Sequence, residues 1–492
     1  MNSLFKTILI ITGLFWLLVV SGCKKQLDIN ISPNNPPAEQ GTPSVGLPAA
    51  IFGTTASVGG EYAILGGIWG QYVTQSAFSN QYKIIDAYQL SSADLNQPYK
   101  ILFANGLKNY QFVIDKSKAT SNWNFYLMAT VMKAYSAQVL VDLYDQIPYF
   151  EALQGVNNLS PKFDDGYTIY QDLLNSLDTA LSKPIDASIL TAADKTADII
   201  FQGNMDKWQH FAYSLEMKMY LRMVNKKPDE AQAGIQKLYS AGAQFLDVDA
   251  GVSGFTNVTG KDNPMYDYNI RSLNTTDNLR ASKTFVSFLI DKNDPRNTYY
   301  FGSSNPTPIN QGDYTGTDPS YKSATVLNQN PTDPVIFISL AESYFMQAEA
   351  RERYFAGDGA KDLYDAGVLA AFTSTDNDGM PFIASGGVYQ YPASGTLDKK
   401  IEALSTQKWI SCAYGVHYLE GFFEKNRTGY PVTSAVYSTD PSYIPGQFVI
   451  SKNTVLGAGL LPKRLVFPDA ERQTNSKTPS LVPISTPVWW AL

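Results

Sequence analysis

Two glutamates on one predicted helix form the clearest pair of side chains that could do chemistry. Glu342 and Glu349 are seven residues apart, so their carboxylates lie on nearly the same helical face. Paired carboxylates can act as acid and base in glycoside hydrolysis. The same pattern arises when both glutamates pair with Arg or Lys, or bond to backbone groups, of neighbouring helices. We favour this second, structural interpretation.

No other motif in the sequence requires catalysis. The sequence has no G-x-S-x-G elbow, phosphate-binding loop, H-E-x-x-H or C-x-x-C motif. Its two histidines are too few for a multi-histidine metal site, and the acidic loops at 262–263 and 376–378 do not match EF-hand spacing. Cys412 lies in an apolar helical context, which is typical of an inert buried thiol. We therefore predict that the protein is not an enzyme and that it holds no cofactor or metal.

Two arginines stand in turn-like motifs. Arg296 follows Asp294 and Pro295, and Arg427 precedes a Gly-Tyr-Pro turn. Both arginines are interpreted as ion-pairing residues that hold the structure, rather than as ligand clamps.

Aromatic residues beside amides and carboxylates favour ligand binding. A sugar ring stacks its C–H face on Trp or Tyr and needs polar partners for its hydroxyls, and a peptide would use similar rings. Core packing or simple solvent exposure remains the competing interpretation for each candidate. The predicted ligand-binding residues come from an early helix and a later loop: Trp69, Gln71, Tyr72, Phe78, Tyr266, Tyr268, Asn269 and Arg271.

Amphipathic helices must position these residues. Residues 122–144 are apolar on almost every face, which predicts a buried helix. A helix opening the folded region is predicted near 62–72. Another follows Asp164, which can cap it. A single further helical stretch is predicted for 400–424.

Two helical hairpins follow from residue spacing. The first joins 205–223 to 229–239, and Pro228 stands in the first turn of its second helix. The other joins 335–354 to 360–372, with small residues beside bulky ones, as in tetratricopeptide units. The predicted fold is therefore mostly α, a tetratricopeptide-like hairpin scaffold. Long aperiodic segments form an irregular binding face: 247–277, 302–334, 376–397 and 430–492.

The N-terminus has the features of a lipoprotein signal. Lys6 precedes the apolar run 8–20, and Ser21 and Gly22 lead to Cys23. The run Val-Ser-Gly-Cys resembles the bacterial lipobox, in which the cysteine becomes acylated. We predict a signal peptide at 1–22, a flexible tether at 23–48 after acylated Cys23, and one domain at 49–492.

Eight short motifs occur in the order expected for one family. They include D-L-Y-D-Q-I-P-Y at 142–149, A-E-S-Y-F-M-Q-A-E-A at 341–350 and R-T-G-Y-P at 427–431. With the lipobox, these motifs resemble the SusD/RagB family of outer-membrane nutrient-binding lipoproteins of Bacteroidota, specifically its second SusD-like branch. The first departs from the family pattern at Asp145 and Gln146. The other motifs lie at 164–180, 204–208, 293–296, 408–410 and 461–464.

The resemblance implies a role in nutrient capture. It implies a protein anchored by lipid in the outer membrane, facing the cell exterior. There it binds a polysaccharide, oligosaccharide or peptide for a SusC-like TonB-dependent transporter. The alternatives are a cell-surface hydrolase with dispersed carboxylates and a transporter lid without its own ligand site. The net charge of −7 argues against a nucleic-acid partner.

Overall fold

A computed structural model describes residues 41–492. The predicted signal peptide, the lipidation site Cys23 and tether residues 23–40 lie outside the described residues. Within the remainder of the predicted tether, a helix already begins at Pro43.

The first part of the described chain is almost entirely helical. Its helices, in chain order, are α1 (Pro43–Val58), α2 (Glu61–Trp69), α3 (Lys83–Asp86), α4 (Asn96–Ile101), α5 (Lys108–Thr120), α6 (Trp123–Tyr144), α7 (Gly166–Leu181), α8 (Ala192–Ala197), α9 (Met205–Met223) and α10 (Pro228–Ser240). A π-helix at Leu102–Leu107 joins α4 to α5.

The second part alternates helices with longer loops. Its helices are α11 (Pro264–Tyr266), α12 (Lys283–Asp291), α13 (Arg296–Phe301), α14 (Leu340–Tyr354), α15 (Ala360–Thr373), α16 (Met380–Ile383), α17 (Leu397–Ser411), α18 (Tyr418–Thr428) and α19 (Asp469–Arg472). A second π-helix at Asp267–Arg271 continues α11.

Three antiparallel strand pairs connect distant loops. The strands are β1 (Val73–Gln75), β2 (Gln146–Pro148), β3 (Phe163–Asp165), β4 (Ala250–Val252), β5 (Leu279–Ala281) and β6 (Val335–Ile338). β1 pairs with β5, β2 with β3, and β4 with β6. The described part of the chain is therefore mostly α, which confirms the predicted fold class.

α6 lies at the centre of the scaffold, as its all-round apolar surface predicts. Nearly all of its side chains are buried, and it packs against α1, α5, α7 and α9. The Asn122 side chain caps it by accepting from Phe125 N at 3.4 Å. The helix ends at Asp145, where φ is +70°.

The two predicted hairpins are confirmed, with one correction. α9 packs on α10 and α14 packs on α15, and Pro228 is the first residue of α10. The prediction that residues 335–338 begin a helix was wrong. These residues form β6, in which every side chain is buried, as expected for a short β-branched and aromatic run.

Three helix boundaries also differ from the prediction. The folded region opens with α1 rather than near Tyr62, because the Pro-rich start of α1 continues into an apolar helix that packs on α5. Asp165, not Asp164, caps α7, through bonds to Tyr167 N and Thr168 N. The predicted helix 400–424 is two helices, α17 and α18, because the chain turns at Gly415 with φ +62°.

The core also contains an extended set of buried charges. We call it the central ion cluster, and its members come from α6, α9, α14, α17, α18 and the turn before α18: Asp142, Lys218, Arg222, Glu342, Glu349, Lys408, His417, Glu420, Glu424 and Arg427. Buried charges persist only when they are paired and hydrogen-bonded. The cluster therefore fixes how these helices dock on one another.

Candidate functional site

The paired glutamates belong to the central ion cluster. Glu342 lies 3.1 Å from Lys218 Nζ and 2.8 Å from His417 Nε2. Glu349 contacts Arg427 Nη2 at 2.5 Å and Arg353 Nε at 2.7 Å. The structural interpretation of this pair is therefore confirmed.

The charges around the two glutamates also set their pKa values. Burial, the largest single effect, would raise the pKa of Glu342, but the Lys218 and Lys408 ammonium groups and the hydrogen bond with His417 together outweigh it and lower that pKa to about 2. Burial is also the largest single effect at Glu349, but the guanidinium groups of Arg427 and Arg353 together outweigh it and lower the pKa. Both groups are thus held ionised inside the core, which is the opposite of what a general acid requires.

Both arginine motifs are structural, as predicted. Arg296 donates to Asp294 with Nη2···Oδ2 at 2.6 Å, and both side chains are fully buried. Arg427 bridges Glu349 and Glu424.

Three of the predicted ligand-binding residues are core residues. The indole of Trp69 donates to Ile85 O at 3.0 Å, Gln71 Nε2 donates to Val449 O at 2.6 Å, and the Tyr72 hydroxyl donates to Trp409 O at 2.7 Å. Each is 3% exposed or less. Since their polar atoms are bound internally and their rings are covered, the structure gives them no surface for a ligand.

The structure brings together the two chain segments that contain the predicted binding residues. β1 pairs with β5, and Ser76 N donates to Asn278 O at 2.9 Å. Gln75 Oε1 accepts from Tyr82 N at 2.6 Å. The Tyr82 hydroxyl then donates to Asn269 Oδ1 at 3.1 Å. The early helical region and the later loop therefore share one surface.

An open cleft of about 200 Å³ lies on this surface. We call it the α2 cleft, because α2 forms one wall. Tyr268, an exposed ring (38%), lines it, and the buried Tyr82 lies in its wall. The polar side chains of Glu61, Gln81 and Asp94 also line it. Apolar side chains complete its lining: Ile64, Ile84, Ile85, Leu90 and Leu95.

The two carboxylates of the α2 cleft are held by local hydrogen bonds. Asp94 Oδ2 accepts from Ser91 N and from Ser91 Oγ, both at 2.8 Å. Glu61 accepts from the Tyr268 hydroxyl; burial raises the pKa of Glu61, and this hydrogen bond partly opposes the rise. The cleft therefore presents hydrogen-bonded acceptors beside one exposed aromatic ring.

Of the eight predicted residues, only Tyr268 lines the α2 cleft. Asn269 is buried beneath it. Phe78 is exposed on the loop before Tyr82 but does not line the cleft. Arg271 instead pairs with Asp262 and donates to Asn257 Oδ1 at 2.6 Å. Its guanidinium also lies 5.4 Å from the centroid of the Tyr266 ring.

Sequence reasoning missed most of the cleft. Its other lining residues come from α2, the loop before α3, α3 and the loop before α4, and none of these segments has a binding motif of its own. The one available signal was that polar Gln81 and aromatic Tyr82 are followed closely by apolar Ile84 and Ile85, shortly after the aromatic Phe78.

Two larger grooves occur elsewhere on the described surface. One, of about 550 Å³, lies between Phe52 of α1 and Phe255. The other, of about 540 Å³, lies between α14 and α15 and reaches Tyr344 and Tyr414. Their walls consist largely of small and apolar side chains. The second groove also has two tyrosines beside carboxylates, and Asp249 Oδ1 there accepts from Leu340 N at 2.7 Å. We select the α2 cleft because it lies where the two chain segments that contain the predicted binding residues meet.

Among residues 41–492, no helix combines the length and apolarity needed to cross a bilayer. The same residues contain no cluster of three or more His, Cys, Asp or Glu side chains arranged to hold a metal ion.

A scaffold of packed helical hairpins whose loops carry an aromatic, polar cleft defines a helical ligand-binding protein. The model of the SusD-like family, described as starch-binding and associating with the outer membrane, matches residues 55–448. The chain belongs to this family, and the family predicted from the motifs is confirmed. No curated protein sequence matches the chain.

Solved structures share the fold at low sequence identity. A SusD homologue from Bacteroides uniformis is 20% identical with a TM-score of 0.71, covering 91% of this chain and 99% of its own. A chitin-binding SusD homologue from Flavobacterium johnsoniae is 21% identical with a TM-score of 0.72, covering 91% and 97%. A SusD/RagB family protein from Bacteroides thetaiotaomicron is 20% identical with a TM-score of 0.71, covering 92% and 99%.

Proposed function

We propose that the protein captures glycans at the α2 cleft and presents them for import through the outer membrane. The observation that carries this proposal is the exposed ring of Tyr268 beside the polar side chains of Glu61, Gln81 and Asp94. Rings of this kind stack on the C–H faces of a sugar, and the polar groups accept or donate to its hydroxyls. Membership in a family described as starch-binding supports glycans over peptides.

The chemistry of the cleft favours binding without turnover. The lining has two carboxylates, but the Glu61 side chain is tied to Tyr268 and Asp94 is tied to Ser91. The buried pair of Glu342 and Glu349 is occupied by cations and is remote from solvent. Nothing in the described residues prepares an acid and a base on opposite sides of an open sugar site.

Delivery to a partner is the second part of the proposal. A protein held at the membrane by acylated Cys23 would be kept beside a SusC-like TonB-dependent transporter on the cell exterior. Family membership, with its association with the outer membrane, supports this location. Replacing Cys23 with Ala should release the protein from the membrane fraction. Co-purification of the tagged, lipidated protein should recover a transporter.

Affinity electrophoresis with starch, chitin-derived and β-glucan polymers tests the glycan role. We expect retention by at least one polymer without release of product. Tyr268→Ala should weaken retention up to about tenfold, because contacts of an aromatic ring contribute about 0.5–1.5 kcal/mol beyond the area they bury and about 1.4 kcal/mol corresponds to a tenfold change in affinity. Phe150→Ala is the matched control, since Phe150 is also an exposed ring (45%) but lies outside the cleft.

Three outcomes would separate the alternatives. Retention that Tyr268→Ala leaves unchanged would contradict the assignment of the site. Release of shorter sugars from the polymer would favour the hydrolase. Failure to retain any polymer, together with recovery of the transporter, would favour a lid without its own ligand site.

A further inference from the structure

The α2 cleft carries negative charge with no positive charge to balance it. Of its ten lining residues, two are carboxylates, Glu61 and Asp94, and none is Lys or Arg. Its concave shape and the exposed Tyr268 ring are independent of this charge. The charge therefore acts on whichever sugar Tyr268 holds.

Three cations that neighbour the lining residues in sequence, or that contact a lining loop, are engaged outside the cleft. Lys83 follows Tyr82 in sequence, but its Nζ lies over the Tyr314 ring, 5.2 Å from the centroid. Arg271 is three residues from Tyr268 and is paired with Asp262. Arg472 reaches the loop that carries Asp94, where its Nη1 donates to Ser92 Oγ at 3.0 Å, and it does not line the cleft.

The hydrogen bonds of the two carboxylates leave acceptor capacity for a ligand. A carboxylate offers about four lone-pair sites. Both hydrogen bonds to Asp94 use Oδ2, so Oδ1 is not involved in them. Glu61 accepts one hydrogen bond from the Tyr268 hydroxyl. The positions that remain suit strong donors, and an ammonium group is the strongest donor that a sugar can carry.

We infer that the α2 cleft selects amino sugars: it takes glycans that carry protonated amino groups in preference to neutral ones, and it rejects glycans that carry carboxylates or sulfates. This inference rests on the proposed glycan role of the cleft. Tyr268 would stack on a ring face of the sugar. Glu61 and Asp94 would accept from the ammonium groups. A carboxylated or sulfated sugar would meet like charge in a partly desolvated space, which costs affinity.

A matched ligand series tests this selection by calorimetry. The probes are the β-1,4 hexamer of glucosamine, its fully N-acetylated form, cellohexaose and the corresponding hexamer of glucuronic acid. We expect the glucosamine hexamer to bind about tenfold tighter than the N-acetylated form, since a hydrogen bond to a charged group is stronger than one between neutral groups. The glucuronic acid hexamer should show no measurable binding. Raising the salt concentration should reduce the ratio between the affinities for the glucosamine and N-acetylated hexamers, because salt screens the attraction between ammonium groups and carboxylates.

Isosteric variants assign the preference to the two carboxylates. Glu61→Gln and Asp94→Asn keep an oxygen that can accept from Tyr268 or Ser91, so the fold should be retained, as thermal unfolding can verify. Each variant should reduce the preference for the glucosamine hexamer, and the double variant should abolish it. Asp115→Asn is the matched control, because Asp115 is an exposed carboxylate on α5, away from the cleft.

The possible results bear on different claims. Equal binding of the amine and N-acetyl forms would overturn the inference, as would a preference that survives in the double variant. If the glucosamine hexamer did not bind, the inference would also be overturned. The proposed glycan role would still hold in that case if the protein retained a neutral polymer. Equally tight binding of a lysine-rich tetrapeptide would overturn the assignment to amino sugars.

Discussion

The Tyr82 hydroxyl donates to Asn269 Oδ1 at 3.1 Å across 187 residues of sequence. Both side chains are buried, and Asn269 Nδ2 in turn donates to Gln329 Oε1 at 3.2 Å. Asn269 directly follows Tyr268, the exposed ring of the α2 cleft. This hydrogen bond therefore ties the buried Tyr82 in the cleft wall to the segment that carries Tyr268.

Tyr82→Phe should loosen the cleft without removing its ring. The substitution leaves buried Asn269 Oδ1 without its donor, so the free energy of unfolding should fall by about 1–2 kcal/mol. Glycan affinity should fall less than in Tyr268→Ala. Urea denaturation measures the first effect and affinity electrophoresis the second. Tyr430→Phe removes a hydroxyl that bonds Asp398 at the surface and should leave stability nearly unchanged. If Tyr82→Phe and Tyr430→Phe lowered the free energy of unfolding equally, the hydrogen bond between Tyr82 and Asn269 would not have the stabilising role described.

Breaking the central ion cluster should be costly. Arg427→Met would leave the buried carboxylates of Glu349 and Glu424 without their main cation, which should lower the free energy of unfolding by about 3–5 kcal/mol. Lys237→Met is a suitable control. Its ion pair with Asp178 is about half exposed and should contribute less than about 1 kcal/mol. Chemical denaturation of the two variants side by side would reveal whether burial makes the difference.

Glu216 should make stability depend on pH. Its side chain is 1% exposed, and neither carboxylate oxygen has a hydrogen-bond partner among the described residues. Burial, with a smaller contribution from Asp178, raises the pKa of Glu216 to about 8 from 4.5. Between these two values the folded state holds a proton that the unfolded state has lost. Stability from this group is therefore present below pH 4.5 and is lost as the pH rises through 8.

Glu216→Gln measures this contribution directly. Relative to that of Glu216→Gln, the free energy of unfolding of the wild type should fall by up to about 4 kcal/mol from pH 5 to pH 9, at about 1.4 kcal/mol per unit of pKa shift. Glu402→Gln, at a surface ion pair with Lys399, should show a much smaller change. If the free energy of unfolding depended on pH in the same way in the wild type and in Glu216→Gln, Glu216 would ionise normally in the folded protein.

Local patterns predicted the scaffold well. α6 could be predicted because its apolar residues are contiguous, and α10 because Pro228 marks its first turn. The strand at 335–338 was missed because a short apolar run carries no periodicity that separates strand from helix. Its partner, β4, is more than 80 residues away.

The site depended on long-range contacts that sequence patterns do not contain. Tyr268 was found because its loop is rich in Tyr and Asn, but Trp69, Gln71 and Tyr72 have the same composition and are core. The difference is tertiary: Tyr72 bonds Trp409 O and Gln71 bonds Val449 O, each more than 330 residues away. No motif in the sequence marked Glu61 or Asp94 as site residues, since each lines the α2 cleft from a separate segment.

Burial of Tyr72 also depends on a glycine in α18. A Cβ atom at Gly421 would lie 1.8 Å from the Tyr72 hydroxyl oxygen, which donates to Trp409 O at 2.7 Å. Gly421→Ala should therefore displace the ring and break this bond, and we expect a loss of about 2–4 kcal/mol, combining overpacking with a lost buried hydrogen bond. Gly457→Ala is the matched control, because its Cβ would make only an ordinary 3.4 Å contact with Leu460. Thermal and urea unfolding should separate the two variants clearly. If Tyr72 were instead a ligand-binding ring free to move, Gly421→Ala would alter glycan retention while leaving stability close to that of the control.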